Sequence, residues 1–449
     1  MTKELFGTDG IRGIPGAYPL DDATLYGVAR ALGKYLLETQ PNPRVLIGMD
    51  TRESGPHIAS QLAAGLADDG VTFLSAGVIT TPGVACLVRQ NKYSAGIVIS
   101  ASHNPFHDNG VKLFAGTGMK FPDDVEEHLE IEIHKHKGRD TAPHGVAVPA
   151  DLALDEEYLA YLRGCAIPGA NLKGLKLVLD CANGAASQLG PALFRSLGAE
   201  VIAIHDQPNG RNINDGCGSL HPEKLREKVL ETRAALGVAF DGDADRAIFA
   251  DETGRVLDGD DALWIIARDW KRRGLLSEGG VVGTVMSNFG LERALARDGI
   301  AFRRAAVGDR HVARLMDETG AVLGGETSGH ILLAPLSPAG DGILTALVLS
   351  GIVHGNGGRL SELATLEKVP QTLRNVRVAR RVPIDDAPEI RKALTRAEQA
   401  LEARGRVFLR YSGTEPLLRI LVEGLDAGEV DAIANELEAL IRKELSAGG

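Results

Sequence analysis

Cysteine is scarce and scattered: the chain of 449 residues has four, Cys86, Cys165, Cys181 and Cys217, and no CxxC pair. That spacing argues against a disulfide framework and against a cysteine zinc site. Basic runs are missing too. Lys and Arg total 49 against 60 Asp and Glu, a net charge of -11 that repels nucleic acid phosphates and anionic membranes. Neither nucleic acid nor a membrane is an expected partner. The longest apolar stretch, 343–353, is broken by Thr345, Ser350 and Gly351 and is shorter than the roughly 20 residues of a membrane span. It reads as a buried helix. The opening Met1-Thr2-Lys3-Glu4-Leu5-Phe6-Gly7 lacks the apolar core of a signal peptide. With the sparse thiols, this gives the cytoplasm as the expected location. No Walker A sequence, no HExxH and no GxGxxG after a strand is present, so ATP hydrolysis and dehydrogenation are not expected.

Hydrophobic residues at 44% and charged residues at 24% are ordinary for globular protein. The length, at roughly 150 residues per domain, gives about three domains or a few unequal ones. Short apolar runs alternate with amphipathic segments, the signature of βαβ units. A first round uses Val45-Leu46-Ile47, a helix near 56–67 and Val71-Thr72-Phe73-Leu74. A second uses 175–179, a helix through Leu193, then 201–204, a helix from Pro222 and 238–240. A third uses 281–285, 301–303 and Ala321-Val322-Leu323, with helices after Asn288 and Asp309. After about Pro370 the order becomes strand, helix, two strands and helix, a smaller α+β arrangement. Punctuation by Pro, Gly and charge near 143–149, 254–259 and 368–370 divides the chain into 1–150, 151–256, 257–368 and 369–449. The expected class is α/β: three related mixed domains and a smaller C-terminal α+β domain.

Parallel sheets place ligands beyond the carboxyl ends of their strands, so the loops there hold the candidate chemistry. The first loop is Ser100-Ala101-Ser102-His103-Asn104-Pro105. Ser102, expected to be exposed at a sheet's edge, can act as a nucleophile or carry a phosphoryl group; taken alone, the loop is read first as a turn whose hydrogen bonds Ser102 and Asn104 satisfy. The second is Asp241-Gly242-Asp243-Ala244-Asp245-Arg246. Carboxylates at alternate positions of an extended chain share one side, so three oxygens converge on one hard cation such as magnesium. An EF-hand match fails because Arg246 stands where glycine is required. An aspartate-nucleophile phosphatase, with Asp241 attacked and Asp243 as acid, remains open.

The third loop is Gly324-Gly325-Glu326-Thr327-Ser328-Gly329-His330. Alternation would aim Glu326, Ser328 and His330 one way, as sugar hydroxyl or amino groups require; a glycine-rich turn with incidental polar residues fits as well. The fourth is Arg410-Tyr411-Ser412-Gly413-Thr414-Glu415-Pro416, followed by Arg419. Two arginines around a Ser-Gly-Thr turn make an anion nest with guanidinium forks, or a plain hairpin.

These four motifs, in this order, resemble the α-D-phosphohexomutase superfamily over essentially the whole chain. The segments 6–13 and 286–291 are similar to its amino-sugar branch, although Thr327 stands where the superfamily usually has glutamine. The resemblance implies four domains around a central cleft, a phosphoserine at Ser102, and one Mg²⁺ held by Asp241, Asp243 and Asp245 with a phosphoserine oxygen. It also implies that Glu326 and Ser328 contact the sugar. Arg410, Ser412, Gly413, Thr414 and Arg419 would hold the phosphate that is not reacting. Lys112, Arg246 and His330 would lie near the reacting phosphoryl group, with Arg12 offsetting charge and either Lys112 or His330 taking the hydroxyl proton. The implied substrate is a phosphosugar, converted between glucosamine 6-phosphate and glucosamine 1-phosphate through a 1,6-bisphosphate. Mutase activity on unaminated hexose phosphates and a non-catalytic sugar-phosphate sensor are the competing functions beside the phosphatase. A homodimer is compatible with an enzyme of this size.

Overall fold

The structure, a computed structural model, describes residues 4–7, 9–135, 145–165, 171–412 and 416–446. The chain forms two compact units, Met1–Met286 with Ala301–Thr365, and Ser287–Ile300 with Leu366–Gly449.

The first unit repeats one sheet plan three times. Strands β1 (Ile11–Gly13), β2 (Arg44–Met49), β3 (Thr72–Val78), β4 (Ala95–Ile99) and β5 (Asn109–Ala115) form a sheet in the order β1-β5-β4-β2-β3. The second sheet, β6 (Lys176–Asp180), β7 (Glu200–Ile204), β8 (Leu236–Phe240), β9 (Ala247–Asp251) and β10 (Val256–Leu257), has the order β10-β9-β8-β6-β7. The third, β11 (Val281–Thr284), β12 (Phe302–Ala305), β13 (Leu323–Gly325) and β14 (Ile331–Leu333), has the order β12-β11-β13-β14.

In each sheet three parallel strands are followed by one antiparallel strand, at β4/β5, β8/β9 and β13/β14. The three loops singled out in the sequence are the connections at these three equivalent places. The parallel strands are apolar and covered by helices, so β2, β4, β6 and β8 read as continuous buried runs.

The helices begin where the sequence supplies caps. Thr80 Oγ1 accepts from Gly83 N at 3.0 Å with Pro82 in the first turn of Thr81–Gln90. Asp258 and Asp261 form a capping box on Gly259–Arg273, which ends at left-handed Gly274. The apolar stretch at 343–353 is the buried helix Gly342–Gly355.

The strand expected at 321–323 instead starts at Leu323 and runs through both glycines. A Cβ on Gly324 would meet Met316 Sδ at 2.5 Å, so the helix packs directly on bare backbone there. The break placed at 256/257 falls inside β10, which belongs to the second sheet. The segment Ser287–Ile300, expected with the third domain, groups with the second unit. There Asn288 Oδ1 accepts from Val369 N at 3.0 Å and its Nδ2 donates to Val369 O at 3.1 Å. Of the boundary expected at 143–149, residues 143 and 144 lie outside the described residues.

The second unit has three antiparallel strands, β15 (Gln371–Arg377), β16 (Gly405–Tyr411) and β17 (Leu417–Gly424), in the order β15-β17-β16. Its core includes Val376, Ile390, Leu418, Ile420, Val430 and Leu437, drawn from the strands and from helices Pro388–Leu401 and Ala427–Ile441. Among the described residues, no helix is long and apolar enough to cross a membrane.

Candidate active site

Ser102 is fully buried rather than exposed. The loop after β4 turns inward at Ser102, whose φ is 53°, a left-handed value uncommon for serine. Arg52, just after β2, holds it there. Its guanidinium is fully buried, its Nε is 2.9 Å from Asp50 Oδ2, and it donates to the carbonyls of Ser102 (3.1 Å), Asn104 (2.8 Å), Asp108 (2.9 Å) and Pro105. From the second sheet's loops, Asn214 Nδ2 donates to the same Ser102 and Asn104 carbonyls at 2.9 and 3.0 Å. Ser100 Oγ accepts from Ser102 N and donates to Asp50. None of Arg52, Asp50 or Asn214 was singled out in the sequence. The signal for Arg52 is a charged pair, Asp50-x-Arg52, at the carboxyl end of a strand too apolar to leave it unpaired.

Ser102 Oγ donates to Asp241 Oδ2 at 2.7 Å. The carboxylates of Asp241, Asp243 and Asp245 are buried and present oxygens within 4.8 Å of one another. Their convergence comes from a turn rather than the extended chain assumed: Ala244 is left-handed, and its N donates to Asp241 O at 3.1 Å. Gly242 permits the close approach, because a Cβ there would lie 2.6 Å from Ser102 O.

Burial, then the neighbouring Asp245 and Asp243, push the Asp241 carboxyl far above the usual range. Burial also acts to raise Asp245, but Lys112, then His330 and Arg246, hold it below. Asp243 Oδ1 and Asp245 Oδ1 are shielded from solvent and accept no hydrogen bond among the described residues. Hard oxygen donors, crowded like charges and orphaned buried oxygens together fit a divalent cation.

A closed ring of alternating charge lies beside the trio. Lys112 Nζ is 2.8 Å from Asp243, 3.5 Å from Asp245 and 2.9 Å from Asp9. Asp9 also meets Lys120 at 2.6 Å, and Lys120 meets Asp309 at 2.7 Å. His330 closes the ring, 3.8 Å from Asp309 and 3.6 Å from Asp245. Burial works against its charge, but Asp245, then Asp309 and Glu326, push the His330 imidazole up to about 9. Burial, then Arg246 and Arg12, push the His103 imidazole down to about 4.

This ring stands between two cavities. One of about 480 Å³ is lined by Arg12, His103, Arg246, Glu326, His330 and Asp309 among others. The other, about 190 Å³, is lined by Lys112, Lys120, Thr81 and Arg310 among others, and shares Asp9, Asp245, Asp309 and His330 with the first. Arg12 Nη2 donates to Asp9 Oδ2 at 2.6 Å, and Arg246 Nε lies 3.7 Å from Asp245 Oδ1.

The alternation expected for Glu326, Ser328 and His330 does not hold. Residues 326–329 reverse the chain, with Glu326 N donating to His330 O at 2.9 Å and Gly329 N to Glu326 O at 3.0 Å. Gly329, at φ 90°, makes the reversal possible. Glu326 therefore reaches the larger cavity and accepts from Gly308 N at 2.9 Å, while Ser328 is exposed and is not among the residues that line it.

In the second unit, Arg410 and Arg419 are register partners across β16 and β17. Ser412 is buried, its N donating to Leu417 O at 2.8 Å. Gly413 and Thr414 lie outside the described residues.

The sheet plan repeated three times, the buried serine against an aspartate trio and the charged cavity define a phosphohexomutase. Family models described as phosphoglucomutase/phosphomannomutase match in order: α/β/α domain I at 3–140, domain II at 156–254, domain III at 258–369 and the C-terminal domain at 373–440. The chain belongs to the phosphoglucomutase/phosphomannomutase family and is an isomerase of that class.

More particularly, it is 48% identical to a phosphoglucosamine mutase of Solibacter usitatus (strain Ellin6076), over 99% of this chain and 100% of that one. It is 46% identical to a phosphoglucosamine mutase of Koribacter versatilis (strain Ellin345), over 99% and 97%. Among solved structures, a phosphoglucomutase/phosphomannomutase family protein from Burkholderia thailandensis aligns with a TM-score of 0.80 at 24% identity, covering 97% of each chain. Aspergillus fumigatus N-acetylphosphoglucosamine mutase, solved with GlcNAc-6P and magnesium, aligns at 0.62 and 20% identity, covering 98% of this chain and 95% of that one.

Proposed function

We propose that the protein interconverts glucosamine 6-phosphate and glucosamine 1-phosphate in the cytoplasm, with Ser102 as the phosphoryl carrier. The observation that carries this reading is the 2.7 Å contact between Ser102 Oγ and Asp241 inside a buried carboxylate trio. Near-full-length identity to phosphoglucosamine mutases supports the amino sugar.

In the forward direction phosphorylated Ser102 gives its phosphoryl group to the sugar O1. The P–O bond to Ser102 breaks as the bond to O1 forms, and the O1 proton passes to a base. The 1,6-bisphosphate then turns over and returns its 6-phosphoryl group to Ser102 Oγ. Asp241, Asp243 and Asp245 would hold one Mg²⁺, which offsets the charge of the trio and of a phosphoserine carrying about -1.5 to -2. Arg12 and Arg246, both lining the larger cavity, offset charge on the moving group. His330, beside Asp245 and Asp309, is placed to give or take a proton at the reacting oxygens. Lys112, paired with Asp9 and Asp243, holds its charge far above neutrality. Either His330 or Lys112 gives its proton to the departing Ser102 Oγ and takes the O1 proton in its place, and the same exchange runs backward when Ser102 is phosphorylated again.

Glu326 and Ser328 are assigned to the sugar, and Arg410, Ser412, Gly413, Thr414 and Arg419 to the phosphate that is not reacting. The four-domain division at 1–150, 151–256, 257–368 and 369–449 and a homodimer belong to the same reading. Comparing turnover on glucosamine 6-phosphate, glucose 1-phosphate and mannose 1-phosphate tests it. The aminated sugar is expected to give the highest kcat/KM, and a clear preference for an unaminated one overturns the choice.

A further inference from the structure

Away from the aspartate trio, the carboxyl ends of β6 and β7 gather three side chains of different donor chemistry. Asp180 ends β6 opposite Ile204 of β7, His205 follows β7 directly, and Cys217 arrives on the loop before Gly218–Leu220. A carboxylate oxygen, an imidazole nitrogen and the thiol sulfur lie within 4.8 Å of one another. Asp180 and Cys217 are buried, while the His205 side chain is 21% exposed, which leaves an entry side.

Each of the two buried donors is held by a partner that leaves donor capacity free. Asp180 Oδ1 accepts from Ala182 N at 3.0 Å and its Oδ2 from Gly218 N at 3.1 Å, one bond on each oxygen that offers two lone pairs. Asn183 Nδ2 donates to Cys217 Sγ at 3.9 Å. Such outer contacts orient metal ligands. His205 Nδ1 is the informative atom. It is shielded from solvent and lies 3.0 Å from Asp180 Oδ2, yet among the described residues it makes no hydrogen bond. Two donors this close without an aligned proton resemble neighbours on one coordination sphere. Bonds of roughly 2.0–2.1 Å at a tetrahedral angle set such donors about 3.3 Å apart.

We propose that Asp180, His205 and Cys217 form a second cation site, for a borderline-soft divalent ion such as Zn²⁺, with a fourth position open to water. The donor set sorts it from the all-oxygen trio, since imidazole and thiol sulfur favour zinc and cobalt over magnesium. It uses a single cysteine with donors from a strand end and two loops, which is why cysteine spacing gave no sign of it. The site also has a consequence for Ser102. The loop that brings Cys217 carries Asn214, the clamp on the Ser102 and Asn104 carbonyls. Ala182, Asn183, His205 and Asn214 all hold left-handed backbone there, and an ion on Asp180, His205 and Cys217 would brace that arrangement.

The test is a Co²⁺ titration of the reduced full-length protein in excess Mg²⁺, read by near-ultraviolet sulfur-to-cobalt charge-transfer absorbance. The band is expected to saturate at one ion per chain, to vanish in Cys217→Ser, to weaken in apparent affinity by about tenfold or more in His205→Gln, and to persist in Asp241→Asn. No band, or a band undiminished in Cys217→Ser, overturns the proposal. Should circular dichroism show that Cys217→Ser does not fold, His205→Gln decides, and unchanged affinity there overturns it. The proposal stands apart from the phosphosugar reading, because oxygen ligands alone give no sulfur band.

Discussion

Ser102 is held by side chains that never touch the larger cavity. The guanidinium of Arg52 replaces the water that four loop carbonyls would otherwise need, while Asp50 balances its charge. Arg52→Met leaves Asp50 buried without its partner, and loss of such a partner costs about 3–5 kcal/mol. Denaturant unfolding is expected to show a loss of that order, together with a fall in turnover as the Ser102 loop loosens; stability within about 0.5 kcal/mol of the wild type contradicts this account. At this scale the sequence was partly legible. Its residue types identified Ser102 and the three aspartates because serine and clustered carboxylates stand out between apolar strands. Arg52 and Asn214 were not found because their partners are backbone carbonyls, which no side-chain pattern marks.

At the scale of elements, the charge ring joins β5 through Lys112, the helix Asp309–Thr319 through Asp309, and the β13/β14 turn through His330, with Lys120 as the link. Lys120 lines only the smaller of the two cavities, so its influence on substrate is indirect. Lys120→Met is expected to lower kcat about 10- to 100-fold by releasing Asp9 and Asp309, with KM changed by less than about twofold. A KM effect of the same size as the kcat effect would instead make Lys120 a substrate contact.

Asp341 makes a separate case. It caps the helix Gly342–Gly355, accepting from Leu344 N at 2.9 Å and from Tyr158 Oη at 2.7 Å. Burial pushes its carboxyl up to about 6. A carboxyl raised on folding stabilises fully below its ordinary range, and that contribution is lost as pH rises through about 6. Asn caps equally well without ionising. Unfolding of both proteins at about pH 4.5 and about pH 7.5 is therefore expected to favour Asp341→Asn increasingly, by up to about 2 kcal/mol. An offset independent of pH contradicts this.

The elements themselves were legible from period and punctuation, to within a few residues. At the aspartate loop the carboxylates converge as expected but by a turn, and at Glu326 to His330 the expected common direction fails; both differences have one cause. Alternation was applied to segments that reverse direction at left-handed Ala244 and Gly329, and turn geometry is set by φ rather than by spacing.

At the scale of the molecule, three copies of one sheet plan each offer the same connection, from the third parallel strand to the antiparallel fourth. One copy carries Ser102, one the aspartate trio, and one Glu326 with His330. The sequence showed three α/β rounds but not their equivalence, because the equivalence lies in strand order and not in shared residues.

Binding at the trio should register as stability. Mg²⁺ at about 100 times its dissociation constant adds about 2.7 kcal/mol to unfolding, and that increment is expected to disappear in Asp243→Asn. Equal stabilisation of the variant places the ion elsewhere.

The most direct test is the site of phosphate after incubation with glucosamine 1,6-bisphosphate and Mg²⁺, read by intact mass and peptide mapping. One phosphoryl group per chain is expected on Ser102, lost on addition of glucosamine 6-phosphate and absent in Ser102→Ala. Phosphate found on Asp241, or turnover that survives Ser102→Ala with release of free phosphate, would contradict it.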